Sequence, residues 1–161
     1  MADITYSFRK IGLAADHAGR DLKQMILEFV RQSGLEVVDY GVAGDAAKVD
    51  YPDYASLLAD DVSKAKLDGG IAICGTGIGM AMVANKFRNV RAACVWDEYS
   101  CRMSRAHNDS NLLCVGSRTL NHHRVAELVK IWLTTPFTGE QHEIRLEKIA
   151  SIEKLNFKSP A

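Results

Sequence analysis

The sequence has no excess of charge of either sign and no long apolar run, and each absence excludes a class of protein. Lysine plus arginine number 20 and aspartate plus glutamate number 20, so no overall field favours nucleic acid or an anionic membrane surface. No window approaches the roughly 18 apolar residues of a membrane span. Asp16 and His17 interrupt the early apolar run IGLAA, so no secretory signal peptide is predicted. We expect a cytoplasmic protein.

The sequence also lacks paired cysteines. Its four cysteines include no CxxC spacing, and three lie in the apolar stretches IAIC, RAACV and LLCVG, as small hydrophobic residues do. The ligand spacing of a zinc site is therefore missing. We expect reduced thiols and no bound metal.

Apolar runs of strand length alternate with stretches of helical spacing. The runs are KIGLAA, EVVDY, GIAIC, VRAACV and LLCVG, beginning at residues 10, 36, 70, 90 and 112. Strands that are apolar throughout are typical of a parallel sheet covered by helices on both faces. Because 161 residues suit one domain, we predict a single α/β domain over residues 1–161, a three-layer sandwich of Rossmann-like type.

Two amphipathic helices are predicted over about residues 121–156, separated by the break TTPFTG. Their apolar positions are Val125, Leu128, Val129 and Trp132 in the first, and Ile144, Ile149, Ile152 and Leu155 in the second. These faces exceed what one face of a small sheet can cover, so we expect part of them to contact another subunit.

The segments that follow the predicted strands carry a distinctive set of polar residues. In strand order they are DHAG, VDYPDYA, CGTGIG, WDEYS and GSR. Ligands bind at the carboxyl ends of the strands in an open parallel sheet. We therefore read the five segments as one site.

The segment CGTGIG predicts an anion hole for a phosphate or an enediolate. Its three glycines let the backbone turn with N–H groups inward, at the start of a helix. A P-loop does not fit, because no Lys-Ser/Thr pair follows, and a dinucleotide-binding turn does not fit, because methionine takes the third glycine position. A tight turn without a ligand is the alternative, although a turn needs only one glycine.

Four side chains beside these segments are candidates for chemistry. Cys74 ends a strand at the loop, where oriented amides favour a thiolate that can act as base or nucleophile; an inert buried thiol is the alternative. His17 and His107 stand in polar clusters, and Arg118 can bind two oxygens of a phosphate or carboxylate. Surface roles are the alternative for these three.

Five motifs together resemble the ribose-5-phosphate isomerase B family, which includes the galactose-6-phosphate isomerase subunits. They are DHAG, YPDYA, CGTGIGM with ANK, SRAHNDSN and GSR, over roughly residues 10–153. The resemblance implies a five-stranded α/β/α sandwich and an aldose–ketose isomerase that interconverts ribose 5-phosphate and ribulose 5-phosphate without metal or organic cofactor. It also implies a homodimer or tetramer with active sites shared between subunits. The balanced charge, in turn, predicts no nucleic-acid or membrane partner.

The resemblance implies a catalytic role for three residues. Cys74 matches the base that moves a proton between C1 and C2, and Thr76 and His107 match groups that open the furanose ring, His107 coming from the neighbouring subunit. The amides that match the anion hole for the cis-enediolate are those of Gly75, Gly77, Ile78 and Gly79. One branch of the family replaces the cysteine by glycine and uses a glutamate six residues later; Met80 stands there, which favours the thiol.

The remaining matched residues are substrate contacts. Those matching contacts to sugar hydroxyls are Asp16, Tyr51 and Asn108, and those matching phosphate contacts are His17, Arg118 and Arg145. Many members carry a second arginine four residues before the last of these, where this sequence has Gln141. The preferred sugar therefore stays open, with allose 6-phosphate, galactose 6-phosphate and a tetrose phosphate as alternatives.

Two hypotheses from other classes are a sugar-phosphate-binding module without catalysis and a non-catalytic subunit of a heteromeric isomerase. Binding alone does not require Cys74, Thr76 and His107 together. A full residue set in one chain also argues against a dependent subunit.

Overall fold

Five parallel strands form one sheet in the computed structural model, which describes residues 5–42 and 48–157. The strands are β1 (Lys10–Ala15), β2 (Glu36–Asp39), β3 (Gly69–Cys74), β4 (Ala92–Cys94) and β5 (Leu112–Gly116). The helices are α1 (Arg20–Gln32), α2 (Tyr51–Ser63), α3 (Ile78–Ala84), α4 (Glu98–Ala106), α5 (His122–Thr134) and α6 (Gln141–Asn156). The strand order is β2-β1-β3-β5-β4.

The predicted three-layer architecture is confirmed by two separate cores, one on each face of the sheet. Alternate residues of β3 point to opposite layers, and all six are buried. Ile71 and Ile73 join the core of α1 and α5, whereas Ala72 and Cys74 join the core of α2 and α3. Because both faces are covered, the strands read as continuous apolar runs rather than as alternating patterns.

The two C-terminal helices differ in how much apolar surface they bury. The predicted apolar face of α5 is fully buried within this chain. The apolar residues of α6 are instead exposed by 48 to 66% of their surface; they are Ile144, Ile149, Ile152 and Leu155. Among the described residues after β5, the exposed large apolar side chains therefore all lie on α6.

Two elements begin at different places from those predicted. β4 has only three residues, Ala92–Cys94, and is an edge strand that pairs with β5 alone. Tyr51 opens α2 instead of lying in a loop. Pro52, in the first turn of that helix, fixes a helical φ where no N–H partner is needed.

The strand order creates a switch point between β1 and β3. The chain leaves β1 toward β2 on one side, and β3 pairs with β1 on the other. Ala15 is in register with Ile73, and Cys74 with Gly116. The segments after these three strands are therefore neighbours, at the position where open α/β sheets bind ligands.

Candidate active site

The loop after β3 wraps its backbone around the sulfur of Cys74. The Gly77 N–H donates to Cys74 Sγ at 3.1 Å. Gly77 has φ of 81°, and a β-carbon there would lie 2.9 Å from the carbonyl carbon of Val115. Only glycine combines this left-handed conformation with so close an approach. The amide can therefore stabilise negative charge on the sulfur.

Cys94 lies under the same loop but is chemically different from Cys74. Its Sγ is 3.7 Å from the Thr76 carbonyl oxygen. Burial, together with a smaller effect of the nearby Cys74, raises the pKa of Cys94 to about 11. Cys94 is therefore protonated at neutral pH and is not a base.

Ser117 links three of the predicted segments, a role that the sequence analysis missed. Its hydroxyl lies 2.7 Å from the Ala18 carbonyl oxygen and 3.2 Å from the Cys74 carbonyl oxygen. Its N–H donates to the same Cys74 carbonyl at 2.9 Å. The motif GSR marked the position, but only the strand order shows that its middle residue joins the segments after β1, β3 and β5.

The segment after β1 presents one carboxylate and one imidazole. Asp16 is buried, and its Oδ1 accepts from the N–H groups of Ala18 and Gly19 at 2.8 and 3.1 Å, which fixes the carboxylate. His17 Nδ1 lies 2.9 Å from the Val49 carbonyl oxygen. Because a carbonyl only accepts, Nδ1 carries a proton, which leaves Nε2 for contact with a ligand.

A partly buried ion pair, which the sequence did not indicate, supports the segment after β1. Lys23, 1% exposed, pairs with Asp39 at the end of β2. Asp39 also accepts from the Gly41 N–H at 2.9 Å, and the Gly41 carbonyl accepts from the Ala15 N–H at 3.0 Å. The pair thus holds the chain next to the residue that precedes Asp16.

Tyr51 covers the first turn of α3. A β-carbon at Gly79 would lie 2.7 Å from Cε2 and Cζ of the Tyr51 ring, so the ring rests against the bare backbone there. Tyr51 is 38% exposed and can still contact a ligand. The Thr76 side chain is exposed in the same loop.

Arg118 completes the cluster at the carboxyl edge of the sheet. Its N–H donates to the Gly75 carbonyl at 3.0 Å, which ties the segments after β5 and β3 together. A β-carbon at Gly75 would lie 3.4 Å from Arg118 Cδ, so the side chain crosses the loop backbone. Within residues 5–42 and 48–157 no carboxylate forms an ion pair with Arg118, which leaves its guanidinium available to an anion.

The other predicted residues lie at the opposite edge of the sheet. His107 lies between α4 and β5. In the same connection, the backbone carbonyl of Asn111 accepts from the N–H of Gly70, near the start of β3, at 2.9 Å. This connection therefore lies at the amino ends of the strands. Asn108 and Arg145 are exposed in the turn after α4 and on α6. The chain therefore does not bring these three predicted residues to the Cys74 loop.

His107 stacks on His142, the second residue of α6. The ring centroids are 3.9 Å apart and the planes differ by 12°. His142 is buried and its Nδ1 has no hydrogen-bond partner within the described residues. Desolvation lowers the pKa of His142, and His107 and Arg145 lower it further. His142 is thus neutral at neutral pH, and its ring fixes the orientation of His107.

Two possible features are missing from the part of the chain that the structure describes. No group of three or more His, Cys, Asp or Glu residues there could hold a metal ion. None of the helices there is long and apolar enough to cross a membrane.

Comparison with known proteins finds similar sequences and structures over most of the chain. The family described as Ribose/Galactose Isomerase matches residues 11–149. Ribose-5-phosphate isomerase B of Escherichia coli is 40% identical over 146 residues, which is 91% of this chain and 97% of the relative. The Clostridium thermocellum ribose-5-phosphate isomerase B structure has a TM-score of 0.88 and 42% identity, and covers 91% of this chain and 98% of its own. The Mycoplasma genitalium enzyme with bound ribulose 5-phosphate has a TM-score of 0.88 and 40% identity, and covers 93% and 99%.

Proposed function

Since the chain belongs to the ribose/galactose isomerase family, we propose that it is an aldose–ketose isomerase that interconverts ribose 5-phosphate and ribulose 5-phosphate. The observation that carries the proposal is the hydrogen bond of the Gly77 N–H to the Cys74 sulfur, 3.1 Å long, inside a glycine loop at the switch point. A thiolate base next to oriented amides is what an enediolate transition state requires.

Proton transfer by Cys74 accounts for both halves of the reaction. In the open-chain aldose the thiolate removes the proton from C2, and the C2–H electron pair forms the C1=C2 double bond while the carbonyl oxygen on C1 becomes negative. The N–H groups of residues 75–79 stabilise that oxygen. The thiol then returns the proton to C1, a proton moves from the C2 hydroxyl to the oxygen on C1, and the ketose forms with no net gain or loss of atoms.

The other groups at the carboxyl edge hold the substrate. The imidazole of His17 and the guanidinium of Arg118 contact the phosphate, the latter through two parallel hydrogen bonds. Asp16 and Tyr51 contact sugar hydroxyls, and Thr76 assists opening of the furanose ring. The support for these roles is that all five residues lie on segments that the strand order brings together.

We propose that a second copy of the chain supplies the rest of the site. His107, Asn108 and Arg145 are needed for ring opening, hydroxyl binding and phosphate binding, yet they lie at the edge of the sheet away from Cys74. A two-fold arrangement lets each copy place these residues at the other's loop. The exposed apolar face of α6, which begins beside His107, supports an interface there.

We further propose that the enzyme works in the cytoplasm, on a small-molecule sugar phosphate and without a metal or organic cofactor. A base that is a free thiol requires a reducing compartment. Its reaction belongs to carbohydrate metabolism, where pentose phosphates are interconverted.

The proposal is tested by mixing the purified protein with ribose 5-phosphate in the presence of EDTA and measuring ribulose 5-phosphate by NMR. Allose 6-phosphate, galactose 6-phosphate and erythrose 4-phosphate are assayed in parallel, because Gln141 replaces a frequent cation of the family. The proposal predicts the highest kcat/KM with ribose 5-phosphate. A higher kcat/KM with another sugar phosphate would identify that sugar phosphate as the substrate of the same class of reaction. Binding without turnover of any of the sugar phosphates would favour a binding module without catalysis.

A further inference from the structure

A second polar cavity of about 380 Å³ lies at the amino edge of the sheet. Its volume is within the range of roughly 300 to 1,000 Å³ of small-molecule sites. The charged and amide side chains that line it are Arg9, Asp68, Arg91, Arg105, Asp109 and Asn111. None of them matches a substrate or catalytic residue of the proposed isomerase site, so the cavity is not explained by that function.

Asp109 is shared between two guanidinium groups of this cavity. Its Oδ2 pairs with Arg91 Nη2 at 2.8 Å, and its Oδ1 pairs with Arg105 Nη1 at 2.8 Å. The Asp109 carboxylate thus pairs with two guanidinium groups, so the three side chains together carry one net positive charge.

Arg9 adds a third guanidinium to the lining of the cavity. The nearby carboxylate of Asp68 is engaged by backbone, because its Oδ2 accepts from the N–H groups of Arg9 and Lys10 at 2.8 and 2.9 Å. The Arg9 guanidinium itself forms no ion pair within the described residues. Three arginines from three separate segments therefore surround the cavity together with two aspartates.

Arg105 is the most constrained of the three arginines. Its side chain is 6% exposed, its Nε has no hydrogen-bond partner among the described residues, and its guanidinium lies 4.7 Å from the centre of the Phe8 ring. Burial lowers the pKa of Arg105, whereas the Asp109 carboxylate raises it. A buried cation that its own partners compensate only in part is stabilised further by an added anion.

We propose that this cavity binds the phosphate group of a small phosphate ester. Guanidinium forks match the oxygens of a tetrahedral dianion. The Arg9 guanidinium supplies the free fork, because Arg91 Nε already donates to the Asp109 carbonyl at 2.9 Å and Arg105 Nη1 to the Ser110 carbonyl at 2.7 Å. Arg91 and Arg105 therefore contribute positive charge and their remaining N–H groups. Free inorganic phosphate offers the same chemistry and is the other source of the ligand. Asp109 follows His107 and Asn108 directly in sequence, so a ligand here would also contact the side chains that hold that turn.

The test follows backbone amide resonances in ¹H–¹⁵N spectra during separate titrations with inorganic phosphate and glycerol 3-phosphate, with sodium chloride of equal ionic strength as the reference. The amides of Arg9, Lys10 and Asn111 report on this cavity, and those of residues 75–79 report on the active site. We expect saturable shifts at both places. Tighter binding of the ester identifies it as the ligand, and equal binding assigns the site to the phosphate group alone.

Two variants separate a site from a general effect of charge. Arg9→Gln removes a guanidinium that supports no ion pair, so the fold is retained, and the cavity affinity should fall about tenfold with the active-site shifts unchanged. Arg31→Gln removes the same charge from an exposed position near the end of α1 and should change neither. The proposal is overturned if the cavity amides do not shift by about 20 mM phosphate, if chloride shifts them equally, or if Arg9→Gln binds like the wild type.

Discussion

The backbone nitrogen of Gly77 donates its hydrogen to the sulfur of Cys74 at 3.1 Å. Gly77 is the N-cap of α3, and Cys74 is the last residue of β3. Gly77 reaches this position because its φ is 81°. The loop backbone is therefore preorganised to donate a hydrogen bond to the Cys74 sulfur.

Replacement of Cys74 should remove the base and leave the binding surface. For Cys74→Ala we predict a fall in kcat of at least about 10³-fold, the scale of a lost general base, with sugar-phosphate affinity within about threefold. Turnover and equilibrium titration measure the two quantities. Cys101→Ala is the control, since that buried thiol contacts the Leu128 carbonyl in the other core; residual turnover of Cys74→Ala above a tenth of wild type would remove Cys74 from the role of base.

Gly77 and Gly34 form a matched pair for testing the loop. Both have positive φ, 81° and 79°, but a β-carbon at Gly34 meets nothing within 4 Å. We predict that Gly34→Ala costs about 1 kcal/mol of stability and leaves kcat unchanged. Gly77→Ala should cost at least about 2 kcal/mol and lower kcat about 100-fold. Urea unfolding measures the change in stability, and steady-state kinetics measure the change in kcat. Equal effects of the two substitutions would show that the loop needs no glycine at position 77.

Complementation between inactive variants should locate His107. Cys74→Ala and His107→Ala are each predicted to be inactive alone. When the two are co-expressed, half of the dimers are mixed, and each mixed dimer holds one intact site, so about a quarter of wild-type activity should return. If His107 served the Cys74 of its own chain, the mixed dimers would contain no intact site and no activity would return.

The stacked pair of histidines predicts a pH dependence of stability. The folded-state pKa of His142 is lowered, so the unfolded chain binds the proton more readily. The contribution of neutral His142 to the free energy of unfolding is fully present above the ordinary histidine pKa of about 6.5. It is lost as the pH falls below that value. Urea midpoints at pH 7.5 and 5.5 should therefore differ less in His142→Gln than in the wild type.

The control for that comparison is His123→Gln, since the side chain of His123 is 86% exposed. It should keep the wild-type difference between the two pH values. If His142→Gln kept it as well, the burial of His142 would have no thermodynamic consequence.

The sequence predicts the layers of this fold because buried parallel strands leave continuous apolar runs, as in β3. It also predicts which strand ends carry chemistry, because the glycine loop and its cysteine are contiguous. The role of Ser117 could not be predicted, since it depends on β5 lying between β3 and β4. Nor could the sequence show which of the two C-terminal apolar faces the chain buries, because both have helical spacing and only the packing of α5 on the sheet distinguishes them.

The most direct test of the central claim is deuterium incorporation during isomerisation in D₂O, followed by proton NMR with the wild type and with Cys74→Ala. If Cys74 moves the proton through an enediolate, the wild type will place solvent deuterium on C1 of ribulose 5-phosphate, and Cys74→Ala will show neither product nor exchange. Product formed without any deuterium, at a rate that the substitution does not change, would contradict the account.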